Sequence, residues 1–107
     1  MLVSRFQNEI ATVECDFDGG VDVVVNLFGG TIIATEGENG LSATSVQIKP
    51  YSEFASAHVA NAEELTVAAD TYTPVTNLAT HAGLGLVKAV IGAGESKSII
   101  LYVAKAV

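Results

Sequence analysis

Residues 21–36 have the sequence VDVVVNLFGGTIIATE, in which two runs of β-branched and aromatic residues flank a Gly-Gly pair. Such runs are typical of β-strands, and glycine supplies the positive φ angles that hairpin turns require. In the first run, one face of the strand carries Val24 and Phe28 together with two polar residues, and the other face is wholly apolar. Its members are Val21, Val23, Val25 and Leu27. A strand with apolar residues on both faces lies between two layers or against a neighbouring subunit.

The same pattern of short apolar runs and turn residues continues through most of the chain. The predicted strands cover residues 9–17, 21–28, 31–36, 41–48, 64–69, 72–78, 84–91 and 98–106. Gly-Gly pairs, Asn39-Gly40 and Asp70 mark turns between them, and residues 92–97 are predicted to join the last two strands as a hairpin. We therefore expect one all-β domain over residues 1–107, a β-sandwich or jelly roll or a small β-barrel of about eight or nine short antiparallel strands.

Residues 51–63 fit two patterns. Tyr51, Phe54, Ala55, Val59 and Ala62 would form a helical stripe, whereas residues 54–59 also alternate as in a strand. Because the rest of the chain consists of strands, the strand interpretation is favoured.

The composition predicts association. Apolar residues make up 50% of the chain and charged residues only 16%, whereas a typical soluble domain carries about 25% charged residues. A small domain cannot bury that much apolar surface internally, so part of it is expected in subunit contacts. Residues 1–7 are predicted to form an N-terminal arm that contributes to them. The candidate interface residues are Leu2, Val3, Phe6, Val24, Phe28, Tyr51 and Phe54.

Charge and hydropathy exclude several partners. The net charge is -7, and the five basic residues are scattered, which argues against nucleic acid and anionic membranes, because both are bound through clustered Lys and Arg. The N-terminus lacks the pattern of a signal peptide, and no apolar run approaches the roughly 20 residues of a membrane span.

Few residues are suited to chemistry. The lone Cys15 alternates with Val13 and Phe17 and is predicted to lie in the core. His58 and His81 have no second ligand at zinc spacing. The acidic turn at residues 16–22 begins like some calcium loops but lacks a later bidentate glutamate, so a solvated turn is favoured and calcium binding stays open. No catalytic residue, cofactor or metal site is predicted, and the chain is not expected to be an enzyme.

Two segments carry a resemblance. They are LTVAADTYTPV at residues 65–75 and GESKSIILYV at residues 94–103. In their Ala, Thr, Val and Gly-rich strands and turns they resemble small tailed-phage virion proteins, nearest in character to capsid decoration (cement) proteins and head-fibre β-domains. The resemblance implies a symmetric homo-oligomer, often a trimer, that locks capsid subunits together and carries no catalytic residues.

We therefore expect a non-enzymatic structural protein of the virion, located on the capsid surface, with copies of itself and a major capsid protein as partners. The alternative is a carbohydrate- or protein-binding adhesion module on the same β-sandwich. A polar concave face with clustered tyrosines and acids would favour the alternative.

Overall fold

Eight antiparallel β-strands make up the computed structural model, which describes residues 9–52, 57–58, 63–92 and 95–105. The strands are β1 (Glu9–Asp16), β2 (Val23–Gly37), β3 (Ser45–Ser52), β4 (Ala57–His58), β5 (Glu63–Thr66), β6 (Tyr72–Pro74), β7 (Leu84–Ile91) and β8 (Ser98–Lys105). Two short 3-10 helices lie at Asp18–Gly20 and Leu78–His81, and there is no α-helix in the described ranges. The all-β prediction is confirmed.

One continuous sheet runs in the order β1-β8-β2-β7-β3-β4, with β5 also on β3 and β6 also on β2. It curls into a half-barrel. The first part of the long β2 pairs with β7, and its second part pairs with β8. The sheet therefore has two halves, and β2 runs through both. We call the part built from β7, β3, β4 and β5 the β7 half, and the part built from β1, β8 and β6 the β8 half.

The Gly29-Gly30 pair is a bulge in this long strand, so the predicted hairpin turn between two strands is wrong. Phe28 and Gly29 have positive φ angles of 51° and 78°, and the pairing with β7 shifts between Asn26 and Gly30. A side chain at Gly30 would overlap Val103 of β8. The glycines therefore let β2 bend and pack closely against its neighbour β8. This bend takes β2 from one half of the sheet to the other.

Three further predicted hairpins are also wrong. β8 lies between β1 and β2, β7 lies between β2 and β3, and β2 lies between β7 and β8. The turn at Gly19 and Gly20 is present, with φ angles of 73° and 74°, but it joins strands that are not neighbours. Turn residues show where the chain reverses, whereas the neighbour of a strand depends on distant segments.

Several strand limits also differ from the prediction. β3 starts at Ser45, and Ser42 and Ala43 ahead of it bind a distant carboxylate described below. β6 ends at Pro74, and the N–H of Val75 just after it still donates to the carbonyl oxygen of Ile33 at 2.8 Å. Between residues 51 and 63 the strand interpretation is confirmed for Tyr51–Ser52 and Ala57–His58, which pair with each other. Phe54 and the N-terminal arm, with Leu2, Val3 and Phe6, lie outside the described residues.

One core fills the inside of the curl, with buried residues from both halves in a single cluster. Cys15 and Phe17 are fully buried, as the alternation predicted. The inward face of β8 consists of Ile99, Leu101 and Val103, each at most 1% exposed. Burial raises the pKa of the Cys15 thiol to about 12, so Cys15 is a packing residue. In the ranges given above, no helix is long and apolar enough to cross a bilayer.

Candidate functional site

Phe28 stands at the bend of β2 and is 81% exposed. Its φ of 51° is in the left-handed region, which costs a non-glycine residue about 1–2 kcal/mol. The Phe28 N–H donates to Oδ1 of Asn26 at 2.8 Å, which holds this conformation. The chain thus fixes a large aromatic side chain in solvent at a conformational cost. Strained, exposed positions of this kind are concentrated at binding sites.

The outer face of the β7 half carries two lysines directly opposite each other. Lys49 of β3 and Lys88 of β7 are register partners, and like charges in this position repel. Lys88 Nζ lies 5.5 Å from the centre of the Tyr51 ring, and Val24, 41% exposed, is opposite Lys88 on β2. We call this surface the basic face. Its members are Val24, Lys49, Tyr51, Leu86, Lys88 and Val90.

The outer face of the β8 half is acidic. Glu14 of β1 and Glu36 of β2 both lie opposite Ile100, one on each side of β8. With Glu38 and Ser98 they line a shallow cavity of about 200 Å³. We call this surface the acidic face. Its members are Glu14, Glu36, Glu38, Ile100 and Tyr102.

Two contacts fix the carboxylates of the acidic face. Tyr102 Oη donates to Glu36 Oε1 at 2.5 Å, and this hydrogen bond is the main reason why the pKa of Tyr102 is raised. Lys97 Nζ lies 3.6 Å from Glu38 Oε2. Of the three glutamates, Glu38 is therefore already partly neutralised, and Glu14 and Glu36 provide the excess negative charge.

A polar cleft of about 350 Å³ opens between β5 and the segment that follows β6. Its walls include Glu63, Thr66, Thr73 and Asn77, and His81 lies at its side. His81 is 5% exposed, and its Nδ1 has no hydrogen-bond partner among the described residues. Desolvation lowers the pKa of His81, and the nearby Glu63 opposes this shift. The imidazole is therefore neutral near pH 7.

Among the described residues, no three His, Cys, Asp or Glu side chains converge on one point. In the acidic turn, the N–H of Asp18 donates to Oδ1 of Asp16 at 3.1 Å. Asp16, Asp18 and Asp22 are all exposed to solvent.

The predicted interface residues fall into two groups. Val24 and Phe28 are exposed, and Tyr51 is half-buried beside Lys88. These three residues do not form one surface patch, because Phe28 lies at the bend of β2 whereas Tyr51 lies on the basic face. Their role in an interface stays a prediction. The sequence did not predict that Lys49 and Lys88 lie opposite each other, because their proximity depends on the register of β3 with β7.

No family model, curated protein or solved structure matches this chain. The surfaces described above therefore provide the basis for a functional proposal.

Proposed function

We propose that this chain is a non-enzymatic structural protein of a virion, which forms a symmetric homo-oligomer and decorates the capsid by binding its major capsid protein. The observation that carries the proposal of association is Phe28, which is held in solvent in a strained conformation. The proposal that assembly takes place on a capsid rests on the resemblance of residues 65–75 and 94–103 to decoration proteins.

Exposed apolar side chains supply the driving force for association. Burying one phenylalanine side chain is worth about 1.5–3 kcal/mol, and such a residue can anchor an interface when it fills a pocket of a partner. Phe28 is accompanied by other large apolar residues that are at least 41% exposed. They are Ile10, Val21, Val24, Tyr72 and Leu78.

Replacing Phe28 by asparagine tests this proposal. Asparagine tolerates positive φ, so we expect Phe28→Asn to keep the stability of the isolated chain or to raise it by up to about 1 kcal/mol. Self-association in sedimentation velocity and cosedimentation with undecorated capsids should both weaken. Thr44→Asn, which exchanges one exposed polar residue outside the strands for another, is the control and should associate like wild type. Unchanged association of the Phe28 variant would contradict the proposal.

A second function, the carbohydrate- or protein-binding adhesion module, is favoured by the polar cleft. Carboxylate, hydroxyl and amide groups of Glu63, Thr73 and Asn77 converge there, and such groups hydrogen-bond sugar hydroxyls. A glycan array probed with the wild-type chain and with Asn77→Ala separates the two functions. Saturable binding that the variant loses, together with no binding to capsids, would favour the module.

A further inference from the structure

We propose that copies of this chain associate head to tail, with the basic face of one copy against the acidic face of the next. This inference deepens the proposed function and rests on its homo-oligomer. It assigns the contact surfaces and the symmetry class of the assembly.

The opposed lysines are the first reason. Lys49 and Lys88 face each other across two neighbouring strands, so the isolated chain retains a local repulsion. Among the described residues the one ion pair joins Lys97 to Glu38, and neither Lys49 nor Lys88 has an acidic partner. Carboxylates from outside would convert this repulsion into attraction. The Tyr51 ring, 5.5 Å from Lys88 Nζ, and Val24, opposite Lys88, are apolar neighbours that would help to exclude water from such a contact.

The acidic face matches this arrangement. Glu14 and Glu36 flank Ile100 on two sides, while Glu38 is already partly neutralised by Lys97. Two carboxylates thus remain for two ammonium groups. The hydroxyl of Tyr102 orients Glu36, and the cavity of about 200 Å³ has room for the end of a lysine side chain.

A second copy fits better than an unrelated acidic partner, because the chain itself carries the complementary surface. Both faces lie on the outside of the curled sheet, one on each half, and a common core separates them. They therefore cannot pair within one chain. Contact between two different faces is heterologous, so it repeats from copy to copy and produces either a closed ring or an open filament.

Two charge-neutralised variants of the full chain test this arrangement in sedimentation velocity. The basic-face variant combines Lys49→Gln with Lys88→Gln, and the acidic-face variant combines Glu14→Gln with Glu36→Gln. Glutamine can still accept the Tyr102 hydrogen bond, so the fold is retained. Each variant alone should self-associate about tenfold more weakly than wild type, or worse. The control, Asp18→Asn with Asp70→Asn, changes two exposed carboxylates and the net charge as the acidic-face variant does but should associate like wild type.

The decisive sample is an equimolar mixture of the two variants. Only one native contact can form in it, between the intact acidic face of one variant and the intact basic face of the other. We therefore expect a one-to-one dimer and no larger species. No dimer in the mixture, or an acidic-face variant that associates like wild type, would overturn the inference.

Capsid cosedimentation separates this inference from the proposed function. If the wild-type chain is monomeric in solution but still binds capsids, head-to-tail association is contradicted and the proposed capsid decoration is supported. A chain that assembles as described but does not bind capsids supports the inference and contradicts decoration.

Discussion

The Glu95 carboxylate accepts a hydrogen bond of 2.7 Å from the hydroxyl of Ser42, although 53 positions separate the two residues in the chain. The same oxygen, Oε2, accepts the backbone N–H groups of Ser42 and Ala43 at 3.0 Å each. One buried carboxylate therefore fastens the segment before β8 to the segment before β3. The N–H groups of Ser42 and Ala43 are thus engaged just before β3 begins at Ser45.

Replacing Glu95 by glutamine is expected to destabilise the fold in a pH-dependent way. The Ser42 hydroxyl, followed by backbone N–H donors, lowers the pKa of Glu95 below its ordinary value of 4.5, against an opposing effect of burial. A lowered pKa stabilises the fold above the ordinary value, and this stabilisation is lost as the pH falls through the folded-state value. Thermal unfolding of wild type and Glu95→Gln should therefore differ near neutral pH and converge in acid. The exposed Glu64→Gln serves as control, and a pH-independent difference would contradict the argument.

A second prediction concerns the close approach of β2 and β8. In Gly30→Ala the new methyl group would overlap Val103, and overpacking of this kind costs about 1–3 kcal/mol of unfolding free energy. Chemical denaturation should show this loss, and the additional substitution Val103→Ala should recover part of it. Gly85→Ala is the matched control, because a methyl group there meets no atom within 4 Å. Equal effects at both glycines would show that the close approach is not the cause.

The Gly29-Gly30 pair also shows how far sequence reasoning reaches in this fold. The alternation predicted β7 with its observed limits, and it predicted the burial of Cys15 and Phe17. Both features are local. The bulge was predicted as a hairpin turn because positive φ angles at a Gly-Gly pair suit either structure. The choice depends on β8, which is about 70 residues further along the chain and occupies the space beside Gly30.

The same limit applies to the candidate site. The exposure of Val24 and Phe28 follows from the alternation of β2 and was accessible from the sequence. The opposition of Lys49 and Lys88 follows from the register between β3 and β7. The residue pattern of neither strand determines that register, so the basic face cannot be predicted from the sequence and is found only in the folded structure. The contact between Glu95 and Ser42 is hidden in the same way.

A third prediction concerns the one buried polar side chain that connects β2 to the end of β5. Thr35 is fully buried, and its Oγ1 donates to the carbonyl oxygen of Thr66 at 2.7 Å. Thr35→Val keeps the shape but removes the donor, so the carbonyl loses this partner, at a cost of about 1–3 kcal/mol. Denaturant unfolding should show this loss, whereas Thr12→Val on the exposed face of β1 should stay within about 0.5 kcal/mol of wild type. A neutral Thr35 variant would show that water or a shift of β5 replaces the bond.

The last prediction is a loss of stability in mild acid caused by His81. Desolvation lowers the folded-state pKa of His81 below 6.5, although Glu63 opposes the shift. The unfolded chain therefore binds a proton at a higher pH than the folded chain does, and stability falls as the pH decreases below the unfolded value. Thermal unfolding of wild type and His81→Gln between about pH 8 and pH 5 should show this decline in wild type and a smaller one in the variant. His58 is present in both proteins, so the comparison isolates His81. Glu63→Gln should make the decline steeper, because it removes the charge that favours the imidazolium. If the His81 variant shows the same decline as wild type, another group causes the acid sensitivity.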